Sequence, residues 1–431
     1  MNNNFNIDEI LNIIPQGNRY SSWGIEFNPF PRSGTSNINS NDETNEKLVP
    51  VESEVYDELK RYILNALSPN ELDREDRFIS ATIIGDYGSG KTQLLMYAKA
   101  CLNKIASSHS HIKPFTIYID NPGGTILEFI GNIISKIGEE NLRKYLWNKI
   151  IESIKSSDDR KQVLKPFAPA QGLQFQEHTD LYDPYSDANT TSYKKFLDSF
   201  IRQLPANKKR LLDEALRNEI MNILYAETND SVVSYYFYEF ISSDFGINKT
   251  WEAITNGNLK QIAGKEFAVI KYIIHLLKQE GFTDVFILVD EFEDITEGRL
   301  NKSQLDNYIH NLRTLLDKQR EWCLLFAMTP HALLKLKSIS PPLADRISTR
   351  KLELQSLNTE EAKKVISNYL LLAGNAEINP FDDSAIGYIK DKSEGNIRRF
   401  LKIAFALLEA ASQSGILTID ETFARENFPS I

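Results

Sequence analysis

The stretch Gly85-Asp86-Tyr87-Gly88-Ser89-Gly90-Lys91-Thr92 constrains this chain more than any other. It fits the pattern G-x-x-x-x-G-K-[ST] and follows directly on the apolar run Ile79-Ser80-Ala81-Thr82-Ile83-Ile84. A loop that wraps a polyphosphate must turn several backbone N–H groups toward the anion, and glycine permits the close approach and the positive φ that this takes. Gly85, Gly88 and Gly90 supply that freedom. Leu94, Leu95, Tyr97, Ala98 and Cys101 then recur with helical spacing, so the loop is expected to join a strand to a helix whose positive dipole end faces the phosphates. In that setting Lys91 can reach the β- and γ-phosphates and the Thr92 hydroxyl can ligate Mg²⁺.

The chain after this loop alternates strand and helix patterns. Pro114-Phe115-Thr116-Ile117-Tyr118-Ile119-Asp120 reads as a buried strand, and Thr125 caps a helix with Ile126, Leu127, Ile130, Ile133, Ile134 and Ile137 on one face. Farther on, Phe267, Ile270, Ile273, Ile274 and Leu277 form a helical stripe that Gly281 stops. Next comes Val285-Phe286-Ile287-Leu288-Val289-Asp290-Glu291, an apolar strand ending in two acids. Asp290 at such a strand end can hold the hydration shell of Mg²⁺, and Glu291 can polarise a water attacking the γ-phosphate. A helix through Leu305, Tyr308, Ile309, Leu312, Leu315 and Leu316 leads to the strand Trp322-Cys323-Leu324-Leu325-Phe326-Ala327-Met328, which ends at Thr329-Pro330. The Thr329 hydroxyl has two readings, a γ-phosphate sensor or a turn former. The alternation predicts an α/β fold, a parallel sheet with covering helices.

From about Glu139 to Gly264 the alternation stops and amphipathic helices take over, as in Tyr145, Leu146, Ile150, Ile151, Ile154 and later Leu211, Leu212, Ala215, Ile220, Ile223, Leu224, with a polar loop at Tyr182-Asp183-Pro184-Tyr185 between them. This reads as a helical insertion. Its aromatic cluster Tyr235-Tyr236-Phe237-Tyr238 and basic run Lys208-Lys209-Arg210 are expected to be helix packing and a solvated face, with a partner or nucleic-acid surface as the other reading. Residues 1–50 are rich in Asn and Ser, as in Ser36-Asn37-Ile38-Asn39-Ser40-Asn41, and read as a partly ordered arm. Within it, Phe27-Asn28-Pro29-Phe30-Pro31-Arg32 joins fixed backbone to aromatic faces, which suits a segment laid across a domain edge or an adenine ring, with a simple packing clamp as the other reading.

Composition narrows the function classes. With 431 residues, 42% hydrophobic and 25% charged, the chain has ample material for a buried core. A net charge of -10 gives no global electrostatic case for nucleic acid, so DNA binding would need a local basic face. Cys101 and Cys323 sit in apolar runs and are expected to be reduced core residues, and no C-x-x-C or H-E-x-x-H spacing suggests zinc. No apolar run approaches a membrane span, and Met1-Asn2-Asn3-Asn4 lacks the features of a signal peptide, so a cytoplasmic protein is expected.

Together these motifs resemble the AAA+ ATPases, within them the origin-recognition-complex and replication-initiator branch, over about residues 51–139 and 265–425. The resemblance implies an AAA+ P-loop core in two parts, 51–139 and 265–350, interrupted by the insertion at 140–264, with a helical lid at 351–431. It implies ATP as the nucleotide and Mg²⁺ as the metal. It places Thr329 at the first sensor position, where the family more often has Asn, and makes Leu343-Ala344-Asp345-Arg346-Ile347-Ser348-Thr349-Arg350 similar to the arginine-finger segment. Arg346 and Arg350 are both candidates for a guanidinium offered to a neighbouring subunit. In the lid, Asn358-Thr359-Glu360-Glu361 opens a helix in the manner of a capping box. Ser393-Glu394-Gly395-Asn396-Ile397-Arg398-Arg399 is similar to the family's second sensor, with Arg398 reaching back to the γ-phosphate. Asn301-Lys302-Ser303-Gln304 lacks the Asp of an Asn-Lys-x-Asp guanine reader. The winged-helix domain that initiators append is not expected here. A looser similarity, to ATPases of bacterial phage defence and other genome-conflict systems, rests on the loop Gly-x-Tyr-Gly-x-Gly-Lys-Thr and the strand end Val-Asp-Glu-Phe-Glu. The expected protein is a homo-oligomeric ATPase acting on DNA or through an effector protein; the alternative is an ATP-binding interaction switch with little turnover.

Overall fold

The computed structural model of the chain describes residues 18–34, 54–67, 79–167, 183–201, 204–242, 265–298, 300–318, 321–375 and 377–429. The Asn- and Ser-rich stretch Ser36–Asn41 and the loop residue Tyr182 lie outside the described residues.

Helix α1 (Glu54–Leu67) precedes strand β1 (Ile79–Ile84), after which the glycine loop leads into α2 (Lys91–Ser108), β2 (Pro114–Ile119) and α3 (Ile126–Ile137). Five helices of the insertion follow: α4 (Glu139–Lys155), α5 (Asp158–Leu164), α6 (Tyr193–Ile201), α7 (Ala206–Thr228) and α8 (Ser231–Ser242). The core resumes with α9 (Lys265–Gln279), β3 (Asp284–Val289), the short α10 (Glu293–Thr296), α11 (Lys302–Lys318), β4 (Cys323–Met328), α12 (Pro330–Ile339), α13 (Pro341–Ile347) and β5 (Arg350–Glu353).

The five strands pair in parallel in the order β2-β3-β4-β1-β5. Parallel sheets are covered on both faces, so their inner strands are apolar throughout, and every residue of β3 and of β4 is buried. Alternate residues then serve opposite layers. Val285, Ile287 and Val289 join α3, α9 and α11 in one core, while Phe286 and Leu288 join α1 and α2 in the other. Strand β5 was not apparent in the sequence. Its residues Arg350-Lys351-Leu352-Glu353 bury only Leu352 fully, as suits a charged strand at a sheet edge.

The insertion does not form a separate lobe. Trp147, Phe196, Phe200, Leu216 and Ile220 belong to the same apolar core as Ile130 and Ile273. Phe237 and Tyr238 are buried, with the Phe237 ring 5.0 Å from that of Tyr272, whereas Tyr235 is exposed under the Arg217 guanidinium. Lys208, Lys209 and Arg210 are solvent-exposed at the start of α7.

The lid consists of α14 (Thr359–Leu372), α15 (Asp383–Lys392), α16 (Ile397–Ser414) and α17 (Glu421–Glu426) around a core of its own. The predicted capping box at Asn358 and Glu361 is present. Residues 18–34 of the arm complete that core. Phe30 is buried against the rings of Tyr369 and Phe381 at 5.6 and 5.8 Å, Trp23 Nε1 donates to Leu417 O at 2.9 Å, and Asn28 Nδ2 donates to Glu409 at 2.9 Å. The contacts of the Phe27–Arg32 segment are those of a packing strap along the lid core. Among the described residues, no helix is long and apolar enough to cross a membrane.

Candidate nucleotide site

The glycine loop lies at the C-terminal end of β1, where a parallel sheet leaves its crevice. Gly88 and Gly90 have φ of 77° and 100°, so both sit in the left-handed region. A Cβ on Gly85 would stand 2.3 Å from Ser89 Oγ, and one on Gly88 would stand 2.8 Å from Asn396 Oδ1. The loop therefore leaves no room for side chains at these positions. Its Ser89 hydroxyl is buried with no hydrogen-bond partner among the described residues. This is the cradle expected of a phosphate site, with an unused polar atom inside it.

One cleft of about 390 Å³ gathers most of the sequence-predicted residues: Gly88, Gly90, Lys91, Thr92, Asp290, Glu291 and Arg398 line it. Strand β4 separates β1 from β3, yet β3 ends level with Thr82, two residues before β1 does, and so delivers its acids beside the start of the loop. Asp290 is 3% exposed. Its Oδ2 accepts the Tyr118 hydroxyl at 2.9 Å and its Oδ1 accepts the Glu291 N–H at 2.9 Å, which fixes the carboxylate. Burial, and then the Asp290 charge, push the Tyr118 phenol far above its ordinary value, so it remains a donor. Glu291 is exposed and has φ of 50°, a left-handed conformation uncommon outside glycine. These groups suit Mg²⁺: hard oxygen donors at Thr92 and Asp290, with the latter's oxygens already held by the protein, as in a hold exerted through water.

Lys91 is 8% exposed and donates to Gly85 O at 3.0 Å and Asp86 O at 3.3 Å, and its Nζ lies 3.3 Å from Glu293 Oε1. Its ammonium also stands 5.3 Å from the centre of the Tyr87 ring. The lid closes over the same loop. Arg398 N donates to Gly88 O at 3.1 Å, and Asn396 Nδ2 donates to Tyr87 O at 2.7 Å while its Oδ1 caps α16 through Arg399 N. Arg398 thus sits in the first turn of a helix, where a cation is electrostatically disfavoured without an anion nearby.

Three of the singled-out residues lie elsewhere. Thr329 caps α12 by accepting from Ala332 N at 3.0 Å, and its hydroxyl donates to Glu297 Oε1 at 2.5 Å. It does not line the cleft, but Glu297 also accepts the Tyr87 hydroxyl at 2.7 Å and so links Thr329 to the loop. Burial raises the Glu297 carboxyl, but hydrogen bonds from Thr329, Tyr87 and His331 outweigh it and hold the group below its ordinary value. The hydrogen bond to Glu297 pushes the Tyr87 phenol up to about 12. Arg346 on α13 pairs with Asp317 on α11, and Arg350 opens β5 opposite Ala81. Neither lines this cleft, and a role across a subunit boundary would concern a neighbour's cleft instead. Asn301 and Gln304 cap α11 reciprocally at 2.9 and 3.1 Å.

Glu293, Glu297 and Tyr118 were missed at the sequence level. Glu293 stands in the strand-end run Asp290-Glu291-Phe292-Glu293, and that third acid was the available signal. Beside the cleft, a second one of about 470 Å³ shares Gly90, Gln93 and Ile397 with it and adds Tyr56, Leu354 and Leu357.

No protein-family model matches the chain, and no curated protein does. Among solved structures the chain is similar to the ORC2 protein of Aeropyrum pernix in its ADPNP-ADP complexes, at 12% identity and a TM-score of 0.47, covering 92% of this chain and 70% of that one. It is similar to the ORC1 protein of Aeropyrum pernix in complex with DNA at 11% identity and a TM-score of 0.40, covering 89% and 67%. It is similar to Cdc6p from Pyrobaculum aerophilum at 12% identity and a TM-score of 0.39, covering 91% and 72%.

Proposed function

We propose that the chain is an ATP-Mg²⁺-dependent AAA+ ATPase. One observation supports this above the others: the glycine loop, the strand-end acids and the lid arginine, drawn from three distant parts of the sequence, face one cleft. Lys91 and the loop N–H groups bind the phosphates, Thr92 and Asp290 hold Mg²⁺, Glu291 polarises the attacking water, and Arg398 reads the γ-phosphate from the lid. Bound Mg²⁺ supplies charge neutralisation on the phosphates. The base lies in the adjoining cleft against Tyr56, Leu354 and Leu357. Thr329 acts through Glu297 and Tyr87 rather than by touching the phosphate. Arg346 or Arg350 completes a neighbour's site in a cytoplasmic homo-oligomer, and the resemblance of the motifs supports work on DNA or in genome conflict through an effector protein.

A second reading is an ATP-binding switch with little turnover, and the direct hydrogen bonds from Asn396 and Arg398 to the loop favour it, because they couple lid position to the phosphate site. Phosphate release by purified protein with ATP and Mg²⁺ separates the two. The ATPase reading expects Mg²⁺-dependent turnover that rises with protein concentration per subunit. Saturable ATP binding without phosphate release would establish the switch in its place.

A further inference from the structure

Glu293 occupies an unexpected place for an acid in a cleft read as a site for a polyanion. It opens α10, is 4% exposed, and directs one carboxylate oxygen at the Lys91 ammonium while the other has no hydrogen-bond partner among the described residues. Burial pushes its carboxyl above the ordinary range, with Lys91 opposing.

An ammonium has three N–H donors. Two of them go to Gly85 O and Asp86 O, and the Glu293 carboxylate faces the ammonium as an ion pair at 3.3 Å. A phosphate oxygen that approaches Lys91 competes with these three oxygens for the ammonium, and Glu293 supplies the charged one. After the exchange the carboxylate is left buried beside the phosphates, like charge against like charge, with Asp290, Glu291 and Asp294 on the same wall. Glu293 thus opposes the incoming polyphosphate twice, by holding its cation and by repelling its charge.

We propose that Glu293 is a built-in competitor for Lys91: an internal carboxylate that occupies the loop lysine in place of a phosphate and sets the nucleotide concentration at which the site fills. This rests on reading the cleft as a nucleotide site. A buried pair that loses one partner strands the other charge, so removing Glu293 raises the free energy of the nucleotide-free protein and leaves Lys91 ready for phosphate.

The test is the dissociation constant of a fluorescent ATP analogue with Mg²⁺, measured by titration for wild type, Glu293→Gln, Lys91→Met and the double variant. Glu293→Gln is expected to bind at least about tenfold more tightly. Its nucleotide-free melting temperature falls, so the rise on adding nucleotide exceeds that of wild type. In the Lys91→Met background the same substitution should gain clearly less, because only the repulsion remains to be relieved. If Glu293→Gln does not fold, Glu293→Asp draws the carboxylate back from Lys91 and should gain a few-fold. Wild-type binding that Lys91→Met weakens, but that Glu293→Gln or Glu293→Asp leaves unchanged or weakens, overturns the competitor alone. Wild-type protein that binds no nucleotide overturns the reading of the cleft and this proposal with it.

Discussion

Asn396 does two jobs with one amide, and they can be separated by substitution. Its Oδ1 accepts Arg399 N at 3.2 Å and caps α16, while its Nδ2 donates to Tyr87 O at 2.7 Å and ties the lid to the loop. Replacing an Asn cap by Ala costs about 1 kcal/mol, and losing one hydrogen bond between the lid and the loop costs about 1 more. Asn396→Ala should therefore weaken the junction by about 2 kcal/mol, which is a roughly thirtyfold loss of protection from hydrogen exchange. The Arg398 and Arg399 amides report it, since Arg398 N bonds Gly88 O and Arg399 N bonds the cap. Asn396→Asp keeps the cap acceptor but sets an anion against the Tyr87 carbonyl. It should accelerate exchange at Arg398 about fivefold and leave Arg399 within about twofold. Equal effects of the two variants at both amides, or none from Asn396→Ala, would refute a lid held to the loop by this side chain.

Two further outcomes follow from the packing and the charges. Phe30→Ala removes a ring that is 2% exposed between Tyr369 and Phe381, so it should cost the lid core about 3–5 kcal/mol and open residues 18–34 to limited proteolysis; unchanged cleavage would show that the strap does not stabilise the lid. Glu297 has a folded-state value below its ordinary 4.5, so its contribution to stability is present above about 4.5 and is lost as pH falls through the lowered value. Glu297→Gln should accordingly lower the melting temperature at neutral pH by an amount that shrinks in acid, and a deficit that stays constant with pH would contradict this.

The parallel sheet was legible because its strands carry their own signal. Buried on both faces, β3 and β4 read as unbroken apolar runs, and Asp290-Glu291 and Thr329-Pro330 mark their ends. Strand β5 was not legible, because an edge strand of Arg350, Lys351 and Glu353 looks like any polar segment. The Phe27–Arg32 segment stood out by its prolines and aromatic rings, but its partners did not: Phe30 packs on Tyr369 and Phe381, and no local periodicity records a contact so distant in sequence. Within the site, Lys91 and Asp290 were readable from type and spacing. The partner of Thr329 was not, since Glu297 belongs to the irregular turn after α10, and its bonds to Thr329 and Tyr87 depend on how that turn packs. Glu293 shows the converse. The acid was in plain view two residues after Glu291, but its pairing with Lys91 across the intervening strand β4 is a fact of the fold.

The most direct measurement pairs ATP binding with ATP turnover in Glu291→Gln. The substitution keeps the side chain's size and removes the base, so Mg²⁺-ATP affinity should stay near that of wild type while phosphate release falls by about 10²–10⁴-fold. Turnover by Glu291→Gln at the wild-type rate would contradict hydrolysis at this cleft.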